Sequence, residues 1–129
     1  MKTANFTLKD WRIPVQLSVY RYRSLKTMRR AIRKLPVKYT KGVAYCYQDI
    51  SKKEYKIQIF LNDERSDISS IVHEIVHAVT FMFKDAPVSL HSEEFADMVG
   101  MWTKEIYSWW ELGHYMGNNF NCAYRWKNE

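Results

Sequence analysis

Two histidines, His73 and His77, lie four residues apart, and Glu74 directly follows the first of them. Residues four apart share one face of an α-helix, so the two imidazoles are expected to converge on one point. Zinc accepts two imidazole nitrogens in this arrangement, each at about 2.0–2.1 Å. Glu74 lies about 100° further round the helix, where its carboxylate can take a proton from a water molecule on the metal. The spacing predicts a His-Glu-x-x-His metal site with Glu74 as general base.

A purely structural role is the alternative for these polar residues. The helix that carries them is predicted to be buried on nearly all sides. The reason is that apolar residues surround the two histidines in this segment: Ile71, Val72, Ile75, Val76 and Val79. A buried imidazole without a partner would cost on the order of 2 kcal/mol or more. A bound metal ion satisfies both histidines at once, whereas a structural role needs two separate hydrogen-bond partners. We therefore predict a metal ion at His73 and His77.

A catalytic zinc site needs a third protein ligand and one open position. The candidates lie at the start of the next predicted helix: His91, Glu93, Glu94 and Asp97. Glu93 and Asp97 are four apart and so share a helix face. That face continues through Ala96 and Gly100, small residues that would let the two helices approach closely. We predict Glu93 as the third ligand and Asp97 as a residue that orients a ligand histidine, with His91 as the alternative ligand.

Upstream of the histidines, the alternation of apolar and polar residues predicts strands and one helix. Residues 15–22 alternate in the manner of a half-buried strand. In residues 24–35, apolar positions recur at spacings of three and four, which predicts an amphipathic helix that begins after Ser24. The segments 42–49 and 54–62 are rich in β-branched and aromatic residues, and they predict an antiparallel hairpin.

The two helices predicted to form the metal site span residues 67–83 and 91–110, together a region of 67–110. The resulting order is β-α-β-β-α-α, which indicates an α+β fold with a small sheet packed against helices. The chain contains no repeat or low-complexity linker, so residues 1–129 are predicted to form a single domain.

Charge is distributed unevenly along the chain. Residues 1–45 contain twelve Lys and Arg and one acid, a balance of +11, and the overall +6 leaves −5 for residues 46–129. The dense part within residues 12–41 could face nucleic acid phosphates, an acidic partner or an anionic surface. A solvated helix face is equally compatible with this pattern, and both interpretations stay open.

Composition and cysteine usage indicate the cellular compartment. No apolar run approaches the roughly 20 residues needed to span a bilayer, and the amino terminus lacks the features of a secretory signal. Cys46 and Cys122 are far apart and have no metal-ligand spacing, so we expect free thiols in a reducing compartment. These features predict a cytoplasmic protein with no membrane partner.

The segment HEIVHA, followed by EEFADMVGMWTKEIYSW, resembles small phage and prophage zincin-like proteins and is more broadly similar to the minimal gluzincin metallopeptidases. The resemblance implies a zincin-like fold, with a small mixed or antiparallel sheet packed against the His-Glu-x-x-His helix and the next helix. It implies His73, His77 and Glu93 as Zn²⁺ ligands, with Glu74 activating a zinc-bound water to hydrolyse peptide bonds of a protein or peptide substrate. It also implies that the strand at 56–62 runs along the cleft and pairs with an extended substrate. If the chain is phage-encoded, its compartment is the host cytoplasm.

A second resemblance implies a different third ligand. HEIVHA followed by HSEEF is similar to SprT-like proteases, in which a histidine, here His91, completes the site, although Ser92 replaces the glycine of that family's motif. The basic first third would suit the action of that family on DNA-bound proteins. A further alternative is a non-catalytic phage-encoded protein that binds a host factor or nucleic acid on a zincin scaffold. Glu74 distinguishes these classes, because a binding protein has no use for a general base.

Overall fold

The computed structural model describes residues 1–8, 11, 13–36, 42–50, 53–84 and 92–112. Its elements, in chain order, are β1 (Lys2–Leu8), β2 (Val15–Tyr22), α1 (Leu25–Ile32), β3 (Tyr45–Ile50), β4 (Tyr55–Asn62), α2 (Ile68–Phe83) and α3 (Glu93–Leu112). The α+β class is confirmed, and the predicted strand at 15–22 has the observed bounds of β2. None of the described helices combines the length and the apolar character that a membrane span requires.

Strand β1 is the one element of the described chain that the sequence analysis missed, so the observed order begins with two strands rather than one. Ala4, Phe6 and Leu8 alternate with polar residues and are buried on one face of the sheet. They pair antiparallel with β2, where Phe6 lies opposite Leu17. The period-2 pattern of a half-buried strand was present in the sequence, within a segment otherwise rich in polar residues.

The four strands form one mixed sheet in the order β1-β2-β4-β3. The predicted β3–β4 hairpin is confirmed as an antiparallel pair, and β4 also pairs with β2 in parallel. Because β4 has a strand on each side, it has no free edge along which a substrate could pair. The expectation that residues 56–62 run along a cleft with an open edge is therefore wrong, and the edge position belongs to β3.

Helices α2 and α3 pack against each other, and α2 also packs on β3 and β4. The inward face of α3 carries large apolar residues: Met98, Trp102, Ile106 and Trp109. By contrast, Ala96 and Gly100 are exposed, and a Cβ added to Gly100 would meet no heavy atom within 4 Å. The expected close approach of the helices through these small residues is therefore wrong, because burial of the large side chains turns that face to solvent.

Helix α1 covers a separate, smaller part of the sheet. Met28 and Ile32 are fully buried against Tyr22 and Phe60. Ser24 is the N-cap residue, as predicted, and its hydroxyl accepts a hydrogen bond from the Thr27 amide at 3.1 Å. The packing of one apolar side of α1 fixes which side of the helix faces solvent.

Candidate metal centre

The start of α2 is fixed by a capping box. The Asp67 side chain accepts a hydrogen bond from the Ser70 amide at 3.0 Å, and the Ser70 hydroxyl accepts one from the Asp67 amide at 3.3 Å. From this start, Ile71, Ile75 and Ala78 pack into the core. Their burial sets the rotation of the helix and hence the direction in which its polar residues point.

Helix α2 is not buried on nearly all sides as the sequence analysis expected. His73 and His77 are exposed, and Ile68 and Val76 are 42% and 38% exposed. The desolvation penalty that was predicted for unpartnered imidazoles therefore does not apply to this pair. Geometry, rather than burial, must decide whether the histidines suit a metal ion.

The imidazoles of His73 and His77 converge as predicted, and their Nε2 atoms are 3.1 Å apart. Two nitrogens on one tetrahedral zinc ion, each about 2.0–2.1 Å from the metal, are about 3.3–3.4 Å apart. A change of a few tenths of an ångström would thus bring both nitrogens into zinc coordination. The observed distance also suits a hydrogen bond between two neutral imidazoles. The pair fits a metal ion without requiring one.

Glu74 completes a group of three side chains that could hold a metal ion. Its ligand oxygen and the two histidine nitrogens all lie within 4.8 Å of one another. Unlike the histidines, Glu74 is buried, with 7% of its surface exposed. Burial raises the pKa of the Glu74 carboxyl, and the neighbouring His73 lowers it. The site therefore combines two exposed imidazoles with one partly desolvated carboxyl group.

These residues line a cleft with a volume of about 570 Å³. One wall is the α2 face, which contributes Ser69, Ser70, His73, Glu74 and His77. The other wall, for which the sequence predicted no role in the site, consists of β3 and the segment before it: Gly42, Val43, Ala44, Tyr45, Cys46 and Gln48. Gln48 Nε2 donates to the backbone oxygen of His77 at 2.9 Å, which ties the edge strand to the helix beside the second histidine.

A buried amide holds the beginning of the second wall in place. Asn62 Nδ2 donates to the backbone oxygen of Val43 at 2.8 Å, and Asn62 Oδ1 accepts from the Arg65 amide at 2.7 Å. The Ser66 hydroxyl donates to the same Val43 oxygen at 2.8 Å. These bonds connect the second wall to the turn that precedes α2, so the same turn holds both walls of the cleft in place.

The second wall is uncharged near neutral pH. Burial raises the pKa of the Cys46 thiol to about 12, with the Gln48 amide lowering it and the Glu74 carboxylate raising it. Burial also raises the pKa of Tyr45, assisted by Cys46, Tyr47 and Glu74. Cys46 is a free thiol, as expected, and Cys122 lies outside the described residues. Charge in the cleft is thus confined to the α2 side.

The proposed third ligand is not part of this group. Glu93 is the first residue of α3, and both Glu93 and Asp97 are exposed. Within the described chain, the group of ligand atoms comprises His73, Glu74 and His77 without Glu93. His91 lies outside the described residues. The roles of Glu93 and Asp97 stay predictions.

No family model, curated protein or solved structure matches this chain. The resemblance to zincin-like metallopeptidases therefore depends on the motif residues alone and stays a prediction.

Proposed function

We propose that this chain is a zinc-dependent metallopeptidase in which His73 and His77 hold the ion and Glu74 is the catalytic base. The observation that carries the proposal is the convergence of two imidazole nitrogens, 3.1 Å apart, beside a buried carboxyl group in an open cleft. Imidazole nitrogens are among the commonest ligands of zinc in proteins. Glu93 is the proposed third ligand, and His91 is the alternative.

The chemistry divides between the ion and the protein. A zinc ion supplies a Lewis acid that polarises a carbonyl group and lowers the pKa of a water molecule. The Glu74 carboxylate takes a proton from the attacking water and then gives it to the amine nitrogen that leaves the cleaved peptide bond. Because Glu74 lines the cleft together with Tyr45 and Cys46, this transfer would take place inside the cleft.

The shape of the cleft suits an extended peptide as substrate. Its second wall includes residues of β3, which pairs with β4 on one side and lies at the edge of the described sheet on the other. An unpaired strand edge can hold a peptide through main-chain hydrogen bonds. The uncharged side chains of Tyr45 and Cys46 would then contact the peptide, while the α2 residues face the bond to be cleaved.

A non-catalytic binding protein on the same scaffold is the second candidate function. It is favoured by the fact that His73 and His77 can hydrogen-bond to each other. Glu74 separates the two candidates, because a protein that only binds does not need a buried carboxyl group beside the histidines.

The test compares the purified wild-type protein with Glu74→Gln, which keeps the side-chain shape and removes the base. We expect about one zinc per chain in both proteins by elemental analysis. Cleavage of a peptide library should fall by about 10²–10⁴-fold in the variant. Ser69→Ala, a change in the same cleft wall, serves as the matched control and should retain both zinc and activity. Equal cleavage by wild type and Glu74→Gln would overturn the catalytic assignment, and absence of zinc would overturn the metal assignment.

A further inference from the structure

The solvent face of α1 and of the turn after it is strongly basic. Four of its cationic residues are exposed and one is partly exposed: Lys26, Arg30, Arg33, Lys34 and Arg29. At about 100° per residue, these five positions occupy one arc of about 140° around the helix axis. We call this surface the α1 basic face. Met28 and Ile32 lie on the opposite side and are fully buried, so the basic face is held outward by the fold.

Helix stability does not explain this concentration of charge. Lys26 lies in the first turn of α1, where the helix dipole disfavours a cation, and that turn contains no acidic residue. Only Arg29 and Arg30, in the last turn, lie where the dipole favours positive charge. Lys26 and Arg30 are four apart, as are Arg30 and Lys34, so like charges repel along the face. An anion from outside the chain would relieve this repulsion.

A cleft of about 320 Å³ lies beside the α1 basic face. It is lined by four cationic residues, one acid and one apolar residue: Lys26, Arg29, Arg33, Arg65, Glu64 and Leu25. The Glu64 carboxylate accepts a hydrogen bond from the Leu25 amide at 2.7 Å, so it is engaged at the start of α1. Within the described part of the chain, Lys26, Arg33 and Arg65 form no ion pair. The cleft therefore has an excess of positive charge.

We propose that the α1 basic face and its cleft bind the phosphodiester backbone of a nucleic acid. Three of the four cations around the cleft are arginines, whose planar guanidinium groups can bind phosphate oxygens in a bidentate manner. The distance from Lys26 to the C-cap residue Arg33 along the helix axis is about 10 Å, enough to meet more than one phosphate of a strand. Because such contacts reach the backbone and not the bases, binding is independent of nucleotide sequence.

A membrane surface fits this face less well. Amphipathic helices bind membranes by inserting an apolar face into the lipid boundary. The apolar face of α1 is already used, because Met28 and Ile32 pack on Tyr22 and Phe60. An acidic protein is negatively charged like a nucleic acid, and the experiment below distinguishes these two kinds of partner.

The α1 basic face adjoins the candidate metal centre. Arg29 Nη2 donates to the backbone oxygen of Gly42 at 3.3 Å, and Gly42 lines the cleft that contains the histidines. A nucleic acid on this face would therefore lie near the part of the metal-site cleft that Gly42 lines. The proposal does not depend on the proposed function, since no residue of the α1 basic face belongs to the metal centre.

The experiment measures binding of a fluorescein-labelled 20-base-pair DNA duplex by anisotropy, from about 50 to 200 mM salt. The test variant is Arg30→Gln with Arg33→Gln. The matched control is Lys56→Gln with Lys104→Gln, two exposed lysines on β4 and α3. Both pairs lower the formal net charge of +6 by two. All four side chains are exposed, and circular dichroism verifies that each variant is folded.

We expect the test pair to bind DNA roughly tenfold or more weakly than wild type at 100 mM salt. The magnitude of the slope of log K against log salt should fall by about 1.8, because two phosphate contacts are lost. The control pair should stay within about twofold of wild type. Equal losses in the two pairs would overturn the proposal, because they would indicate a response to net charge alone. Salt-independent binding would overturn it too, as would displacement of DNA by polyglutamate at equal charge concentration, which would indicate an acidic protein partner.

Discussion

At the scale of single residues, the candidate site depends on His73 and His77, whose exposed nitrogens lie 3.1 Å apart. Their convergence was predictable from sequence because it depends only on the local geometry of a helix. The place of Glu93 was not predictable, because it depends on how a separate helix docks. Ala96 and Gly100 show the same limit, since small residues suit both a close helix contact and an exposed face.

The histidine pair gives the first prediction. Replacement of either His73 or His77 by Ala should weaken zinc binding by more than about 100-fold. Mutation of a residue that only hydrogen-bonds to a metal ligand already lowers metal affinity by about 10–100-fold, and loss of a ligand itself should cost more. Competition with a chromophoric chelator measures the affinity. Ser69→Ala, on the same side of the cleft, should bind zinc as the wild type does. Unchanged affinity in both histidine variants would contradict the assigned ligands.

The third ligand gives the second prediction. Glu93→Gln should lower the zinc affinity by more than about 100-fold on the same reasoning, whereas His91→Asn should leave it nearly unchanged. Glu94→Gln, the neighbouring carboxylate, serves as the control. The same chelator competition decides between them. The reverse order of effects would favour His91, and with it the interpretation as a SprT-like protease.

At the scale of elements, the sequence predicted the bounds of β2, the antiparallel pairing of β3 with β4, and a helix from residue 67, one residue before the observed start of α2. These features were predictable since alternation, turn residues and capping act locally. It did not predict that β4 would lie inside the sheet and β3 at its edge. Strand order depends on long-range pairing, and the apolar residues of β4 are compatible with either position. The wall of the cleft that β3 provides was missed for the same reason.

The capping box of α2 gives a prediction about pH. Hydrogen bonds from the Ser70 amide and from the hydroxyls of Ser69 and Ser70 hold the pKa of Asp67 below its ordinary value. A carboxyl whose pKa is lowered by folding stabilises the fold above its unfolded pKa of about 3.9, and this contribution is lost as the pH falls through the folded pKa. Asp67→Asn should therefore melt at a lower temperature than wild type at pH 7. Melting curves by circular dichroism should show this difference shrinking below about pH 4, and a difference that stays constant down to pH 3 would contradict the assignment.

At the scale of the whole molecule, the fold forms two distinct surfaces that adjoin at Gly42. The acid and the histidines of α2 face one cleft, while five of the twelve cationic residues of positions 1–45 lie on α1 and the turn after it. The sequence indicated this division through its charge balance, but it could not show which basic side chains share a surface. The structure shows this grouping, because the burial of Met28 and Ile32 fixes the rotation of α1 about its axis.

The attachment of α3 gives the last prediction. The Arg21 guanidinium donates to Asp63 Oδ1 and to the backbone oxygen of Trp110, each at 2.6 Å, and lies 4.0 Å from the centroid of the Trp110 ring. One side chain of β2 thus holds the carboxyl end of α3 and the turn before α2. Arg21→Ala should lower the free energy of unfolding by about 2 kcal/mol, because hydrogen bonds to charged groups contribute about 1.5–3 kcal/mol and the exposed ion pair with Asp63 adds little.

Urea unfolding measures this change as a lower midpoint with an unchanged slope. Arg21→Lys should recover only part of the stability, because an ammonium group cannot place two donors in the fork geometry of a guanidinium. Arg23→Ala removes the same charge from an exposed neighbouring position and should change the free energy by no more than about 0.5 kcal/mol. If the Arg21 and Arg23 variants unfolded at the same urea concentration, the contact between Arg21 and α3 would contribute nothing to stability. Helix α3, and with it Glu93, would then be positioned by the apolar contacts of Trp102 and Ile106 alone.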